Sequence, residues 1–269
     1  MKNLQQTPEG VLIEIQHIKR QQSQGTILMW PCGMGDIYSS LYQGYMETFH
    51  EFDLVLYNPR AHGQSQGNYS FDKAVADLVY FLKQMTLCYP IYGIGHSAGG
   101  AGILKVANTL PLEKLFLFSP IIHSRQSLDF MYKEQTQYLF TKLFCRERAT
   151  NPLLWDTLME GKWLDKDFWN HIKSEITSAG TVFDSVSKSM ENIAHPGYGV
   201  HEEIAKHHQK THIFIPQKDL WFSIDDQLQV AQQYNITIAT IRNAKNHFFK
   251  RKWSNIWQLL HGIIDGNKS

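Results

Sequence analysis

The sequence predicts an α/β fold: a mostly parallel sheet with helices on both faces and an inserted helical cap. Three observations point there. Apolar strand-like runs alternate with helix-like runs over residues 1–120, and the alternation resumes over 210–269. Between them, residues 121–209 keep helical spacing but lose the strand signal, over a stretch too long for a loop. Glycine-bearing loops follow the strand-like runs at their carboxyl ends, where open α/β sheets bind ligands. The expected organisation is therefore a core of 1–120 and 210–269, with a cap of 121–209.

In order along the chain, residues 11–18 alternate apolar and polar and predict an edge strand with one wet face. Thr26-Ile27-Leu28-Met29-Trp30 is continuously apolar, the signature of a strand buried on both faces. The loop Pro31-Cys32-Gly33-Met34-Gly35-Asp36 follows it, then a helical pattern over 39–49. Residues 52–57 predict a third buried strand, which leads into Asn58-Pro59-Arg60-Ala61-His62-Gly63-Gln64-Ser65. Ser70 is placed to cap a helix whose apolar positions are Phe71, Ala74, Val75, Leu78, Val79 and Leu82. Residues 90–94 predict a strand, 101–108 a helix and 114–118 another strand.

Within the cap, helices are expected over 128–147, 151–162, 165–178, 181–193 and 200–209, with His195-Pro196-Gly197-Tyr198-Gly199 breaking the last two apart. Its many aromatic side chains predict packing onto the core, with a few lining an acyl-sized pocket. The α/β pattern then returns, with a strand over 211–215, a helix over 224–234, a strand over 236–241 and a closing helix over 250–264.

Composition narrows the function classes. The 269 residues are 43% hydrophobic and 19% charged, so a disordered or fibrous chain is excluded. A formal net charge of +1 gives no global field to gather nucleic acid or membrane lipid. The first residues lack the apolar core of a signal peptide, and no run reaches the roughly 20 apolar residues of a spanning helix. Cys32, Cys88 and Cys145 have neither metal nor disulfide spacing. A cytoplasmic protein with no stable membrane insertion is expected.

The chemistry centres on Gly95-His96-Ser97-Ala98-Gly99-Gly100, between a strand-like and a helix-like run. Small residues on both sides of a serine at such a turn let the chain reverse sharply and push the hydroxyl out of the sheet. Ser97 is thus the candidate nucleophile. A serine hydroxyl needs a base, and His247 follows the last predicted strand, on the same rim of the sheet. The base needs an acid to hold its tautomer, and Asp219 follows the preceding strand. The order Ser, Asp, His is the one associated with strand-turn-helix nucleophiles. For the developing oxyanion, the N–H of Ala98 is one candidate donor and that of Met34, between Gly33 and Gly35, the other.

These motifs together resemble the α/β-hydrolase superfamily over nearly the whole chain. Within it, the chain is similar to capped carboxylesterases and lipases, such as monoacylglycerol lipases and esterases of pimeloyl-carrier-protein methyl esters. Gly95 to Gly100 matches the family elbow, Asn58 to Ser65 resembles its Asp-x-Arg-Gly-His-Gly-x-Ser loop, and Ala244-Lys245-Asn246-His247-Phe248 its terminal Gly-His-Phe. Ile215-Pro216-Gln217-Lys218-Asp219 corresponds to its acid segment. Three departures stand out: Cys32 replaces the histidine before the oxyanion donor, Pro216 a glycine before the acid, and Ala61 a loop glycine. None removes a catalytic group.

Competing assignments are weaker. His62 lies in a loop whose family role is structural. His201, His207, His208 and His212 with Glu202 and Glu203 lack the spacing that puts two metal ligands on one helical face. Asp225 and Asp226 read as the charges that open a helix, and Cys32 as a small packed residue. Lys133, Lys142, Arg146 and Arg148 form a basic cluster, either an exposed helix face or a dock for an acidic acyl-carrier protein. The expected protein is a cofactor-free, metal-free serine hydrolase acting on a small-molecule acyl ester. Thioesterase, peptidase and acyltransferase chemistry share the same residues. A non-catalytic small-molecule-binding protein is the alternative outside enzymes.

Overall fold

The computed structural model describes residues 3–33, 35–122, 200–219 and 221–266. Eight strands form one sheet among them: β1 (Leu4–Gln6), β2 (Leu12–Ile18), β3 (Thr26–Trp30), β4 (Asp53–Asn58), β5 (Ile91–His96), β6 (Leu112–Phe118), β7 (Thr211–Pro216) and β8 (Thr237–Ile241). The order is β1-β2-β4-β3-β5-β6-β7-β8. The β1–β2 and β2–β4 pairs are antiparallel and every later pair is parallel. The described helices are α1 (Tyr45–Thr48), α2 (Phe71–Gln84), α3 (Ala98–Val106), α4 (His201–His207), α5 (Ile224–Tyr234) and α6 (Trp253–Asp265).

Strand periodicity separates two cores. In β3, Leu28 and Trp30 join the cluster that packs α2 and α3, while Ile27 and Met29 join the one that packs α1 and α6. β4 divides the same way, with Val55 and Tyr57 on one side and Leu54 and Leu56 on the other. Burial on both faces explains why the central strands β3 and β4 read as apolar runs, unlike β8 at the edge, which is partly exposed. α6 closes its side with Trp253, Ile256, Trp257, Leu260 and Ile264, all buried at helical spacing.

Several expectations need correction. β2 is not at the edge, because β1 pairs outside it in the register Gln5↔Ile13. Its polar face is not wet either: Glu14 is only 6% exposed, and its Oε2 accepts from Asn58 Nδ2 and from the Gln64 N–H, both at 2.8 Å. The helix expected over 39–49 is a 3₁₀ turn (Ser40–Tyr42) followed by α1, because Gly44 breaks it at φ 95°. Ser70 occupies the cap position of α2 but makes no capping bond through its side chain. Ser223 does cap α5, accepting from the Asp226 N–H at 3.2 Å, and Asp225 and Asp226 fill its first turn as expected. Residues 123–199, which hold most of the expected cap and its basic cluster, lie outside the described residues.

Candidate active site

The turn from β5 into α3 holds Ser97 at φ 56° and ψ −118°, a conformation that side-chain-bearing residues avoid at a cost of about 1–3 kcal/mol. Main-chain bonds hold it there. The Ser97 N–H donates to the Phe118 carbonyl at 2.8 Å, and the Ser97 carbonyl accepts from Gly100 at 3.0 Å and from Ile121 at 3.3 Å. Glycine is required on both sides. A Cβ on Gly95 would fall on the Gly99 carbonyl oxygen and the Gly100 backbone, and one on Gly99 on the carbonyl oxygens of Trp30 and Pro31.

Ala98 is the first residue of α3, where N–H groups have no acceptor within the helix. Gly33 lies beside it, since a Cβ there would stand 3.7 Å from that of Ala98. The glycine loop after β3 therefore borders the elbow. Met34, the residue expected to give the second donor, lies outside the described residues.

Asp219 follows β7 and His247 follows β8, so both stand at the carboxyl rim that carries Ser97 after β5. The structure brings Asp219 and His247 together, with 2.8 Å between Asp219 Oδ2 and His247 Nδ1 and almost no exposure of either side chain. The other oxygen, Oδ1, accepts from the Trp221 N–H at 2.8 Å and the Phe222 N–H at 3.1 Å. A carboxylate only accepts, so His247 carries a proton on Nδ1, which leaves Nε2 as the ring nitrogen that Asp219 does not engage. Phe222, Phe248 and Trp221 surround the imidazole at ring distances of 4.9, 5.2 and 5.9 Å.

Ser97 is tied to this pair through its neighbour. His96 Nε2 lies 3.0 Å from the His247 main-chain oxygen, and the two rings are 5.1 Å apart. The carbonyl can only accept, so His96 donates from Nε2 and its Nδ1 is an acceptor. The Tyr42 hydroxyl donates to that Nδ1 at 2.8 Å, and its oxygen accepts from the Cys32 N–H at 2.9 Å. Burial, and secondarily the nearby His247, holds the His96 pKa well below the ordinary value, so the ring is neutral.

The remaining candidates have structural partners. His62 Nδ1 lies 2.9 Å from the Arg60 carbonyl, and burial pushes its pKa down to about 4. Arg60 forms a two-point pair with Asp77, at 2.7 Å and 2.9 Å. Burial raises the Cys32 thiol to about 11, far from the thiolate that redox or metal chemistry uses. His207 bonds Asn108 at 3.0 Å and Glu203 bonds Lys105 at 2.7 Å. Among the described residues, no group of three or more histidine, cysteine or acidic side chains could hold a metal ion. No helix among them is long and apolar enough to cross a membrane.

Residues 23–193 match the family described as serine aminopeptidase, S33. The chain belongs to that family of α/β hydrolases. The fold of this hydrolase is similar to that of an α/β hydrolase from a Medee basin deep-sea metagenome library. There the TM-score is 0.66 and the identity 14%, over 98% of this chain and 96% of that one. An N-acyl homoserine lactone degrading enzyme aligns with TM-score 0.63 and 14% identity, over 97% and 98% of the two chains. An esterase of Pyrococcus furiosus gives 0.63 and 15%, over 97% and 86%. At such identities the likeness is one of fold. No curated protein sequence matches the hydrolase significantly.

Two residues that tie the site of the hydrolase together were not legible in the sequence, Tyr42 and His96. Glu14, which reads as the wet face of a strand, was likewise missed as a buried partner of Asn58 and Gln64. Tyr42 and His96 carry no local signal, because their partners lie 10, 54 and 151 positions away in the chain.

Proposed function

We propose that this hydrolase cleaves a carboxylic ester through an acyl-enzyme, with Ser97 as nucleophile, His247 as base and Asp219 as the acid that orients it. The observation that carries the reading is the buried Asp219–His247 bond at the same sheet rim as a serine held at positive φ. In the first step Ser97 Oγ adds to the ester carbonyl carbon while its proton passes to His247 Nε2. The oxyanion is held by the Ala98 N–H, with Met34 N–H from the glycine loop as the second donor. Collapse of the adduct expels the alcohol, which takes the proton from His247 as it leaves. Water then repeats the sequence on the acyl-enzyme, releasing the acid and free Ser97. Asp219 stabilises the imidazolium in both halves.

The apolar rings of Trp221, Phe222 and Phe248 around the base suit a hydrocarbon group in the substrate. Fold relatives that are an esterase and a lactone-degrading enzyme support the ester reading. The substrate is a small-molecule acyl ester, and an acyl-carrier-protein-linked ester is the macromolecular form of the same chemistry. The direct test is hydrolysis of p-nitrophenyl esters of increasing acyl length by the native protein and by Ser97→Ala. Turnover lost by at least about a thousandfold in the variant supports the reading. Turnover that survives the substitution overturns it.

A further inference from the structure

Hydrogen bonds run without a break from the glycine loop to the loop that carries the base. The Cys32 N–H donates to Tyr42 Oη, the Tyr42 hydroxyl donates to His96 Nδ1, and His96 Nε2–H donates to the main-chain carbonyl of His247, at 2.9, 2.8 and 3.0 Å. All four residues are buried. The donors alternate in one direction only, because the first is an amide N–H and the last acceptor a carbonyl.

We infer that Tyr42 and His96 are positioning residues of the reaction, their hydrogen-bond chain holding the glycine loop beside Ala98 and the His247 loop in one fixed register around Ser97. This rests on the serine-hydrolase reading above. Four separate segments meet here: the loop after β3, the 3₁₀ turn at Ser40–Tyr42, the elbow itself and the loop after β8. β3 and β5 pair as far as Trp30↔Gly95, which sets the glycine loop beside the elbow, but among the described residues β8 pairs only with β7, so side-chain bonds tie the His247 loop to the elbow. The His247 main chain is held by His96 and its ring by Asp219, which fixes the imidazole at two ends.

The relay also governs charge. When His247 becomes an imidazolium, a second cation 5.1 Å away would oppose it. Protonating His96 would require its Nδ1 to stop accepting from Tyr42. The Tyr42 donor and the surrounding Phe248, Phe249 and Trp253 rings therefore keep the neutral form in place. Among the described residues, the titratable groups that adjoin His96 in the chain of bonds are Tyr42 with Cys32 beyond it, and His247 with Asp219 beyond it.

The test is steady-state hydrolysis of a p-nitrophenyl ester, with fluorophosphonate labelling of Ser97, by Tyr42→Phe, His96→Phe, their double variant and His96→Gln. Tyr42→Phe removes a single oxygen and keeps the ring packing. Its kcat is expected to fall about ten- to a hundredfold with KM within about twofold. The double variant is expected to be no slower than the slower single one, because either change breaks the same relay. His96→Gln, which keeps an acceptor and a donor in the same order, is expected to recover part of the loss. A lowered melting temperature with native kcat in folded Tyr42→Phe would overturn the inference, as would losses that multiply in the double variant. Should His96→Phe fail to fold, Tyr42→Phe and His96→Gln decide it by the same criteria. A native protein that neither turns over esters nor labels at Ser97 would overturn the serine-hydrolase reading and this inference together. A native protein that labels, beside a Tyr42→Phe that labels equally fast, would overturn the inference alone.

Discussion

Asp219 holds His247 with one carboxylate oxygen and its own turn with the other. Oδ2 lies 2.8 Å from His247 Nδ1, while Oδ1 accepts from the N–H groups of Trp221 and Phe222. The Asp219 carboxylate is therefore held by its own turn as well as by His247. An imidazole held by a fixed carboxylate keeps one tautomer, with the basic lone pair on Nε2.

Asp219→Asn tests that arrangement. The amide can still satisfy the turn through its oxygen, but its NH₂ group would face His247 Nδ1 and select the wrong tautomer. We expect kcat for an ester to fall by about 10³- to 10⁴-fold, with the fold retained by circular dichroism. A loss of less than about tenfold would show that Asp219 is not the orienting acid.

The elbow glycines give a contrast in stability. Gly99→Ala would drive a methyl group into the Trp30 and Pro31 carbonyls, which are backbone and cannot swing aside. We expect a loss of more than about 3 kcal/mol in urea unfolding, or no soluble protein. Gly262 lies within α6 with nothing within 4 Å of an added Cβ, so Gly262→Ala should stabilise by about 0.5–1 kcal/mol. The two results should have opposite sign.

The pH dependence of stability follows from buried neutral imidazoles. Burial lowers the His62 pKa from 6.5 to about 4, and that of His96 also falls well below 6.5. In the unfolded chain both take up a proton as the pH drops through about 6.5, and in the folded protein they do not. Their contribution is complete above about pH 6.5 and is lost progressively as pH falls toward the folded values. Urea unfolding between about pH 7 and pH 4.5 should show declining stability. The decline should be shallower in His62→Gln by up to about 1.4 kcal/mol per pH unit. An unchanged slope in the variant would contradict the assignment.

What could be read from the sequence divides along physical lines. β3 and β4 were legible because burial on both faces leaves continuous apolar runs, and α5 because Asp225 and Asp226 open an amphipathic stretch. The placement of Ser97, Asp219 and His247 on the carboxyl rim of the sheet was legible because each follows a recognisable strand. β1 was not, since Leu4–Gln6 is short and mostly polar and is ordered by pairing with β2. The break at Gly44 escaped because the residues around it keep helical spacing while its φ of 95° does not. Glu14, Tyr42 and His96 escaped because their partners are assembled only by the folded sheet. Long-range polar bonds leave no periodic trace in one chain.

The central claim is that Ser97 is an activated nucleophile. Intact-mass measurement after exposure to a fluorophosphonate, with peptide mapping of the adduct, tests it most directly. We predict one adduct per chain, located on Ser97, absent from Ser97→Ala and strongly slowed in His247→Ala. Folded native protein that remains unmodified, or that carries the adduct on another residue, would contradict the account.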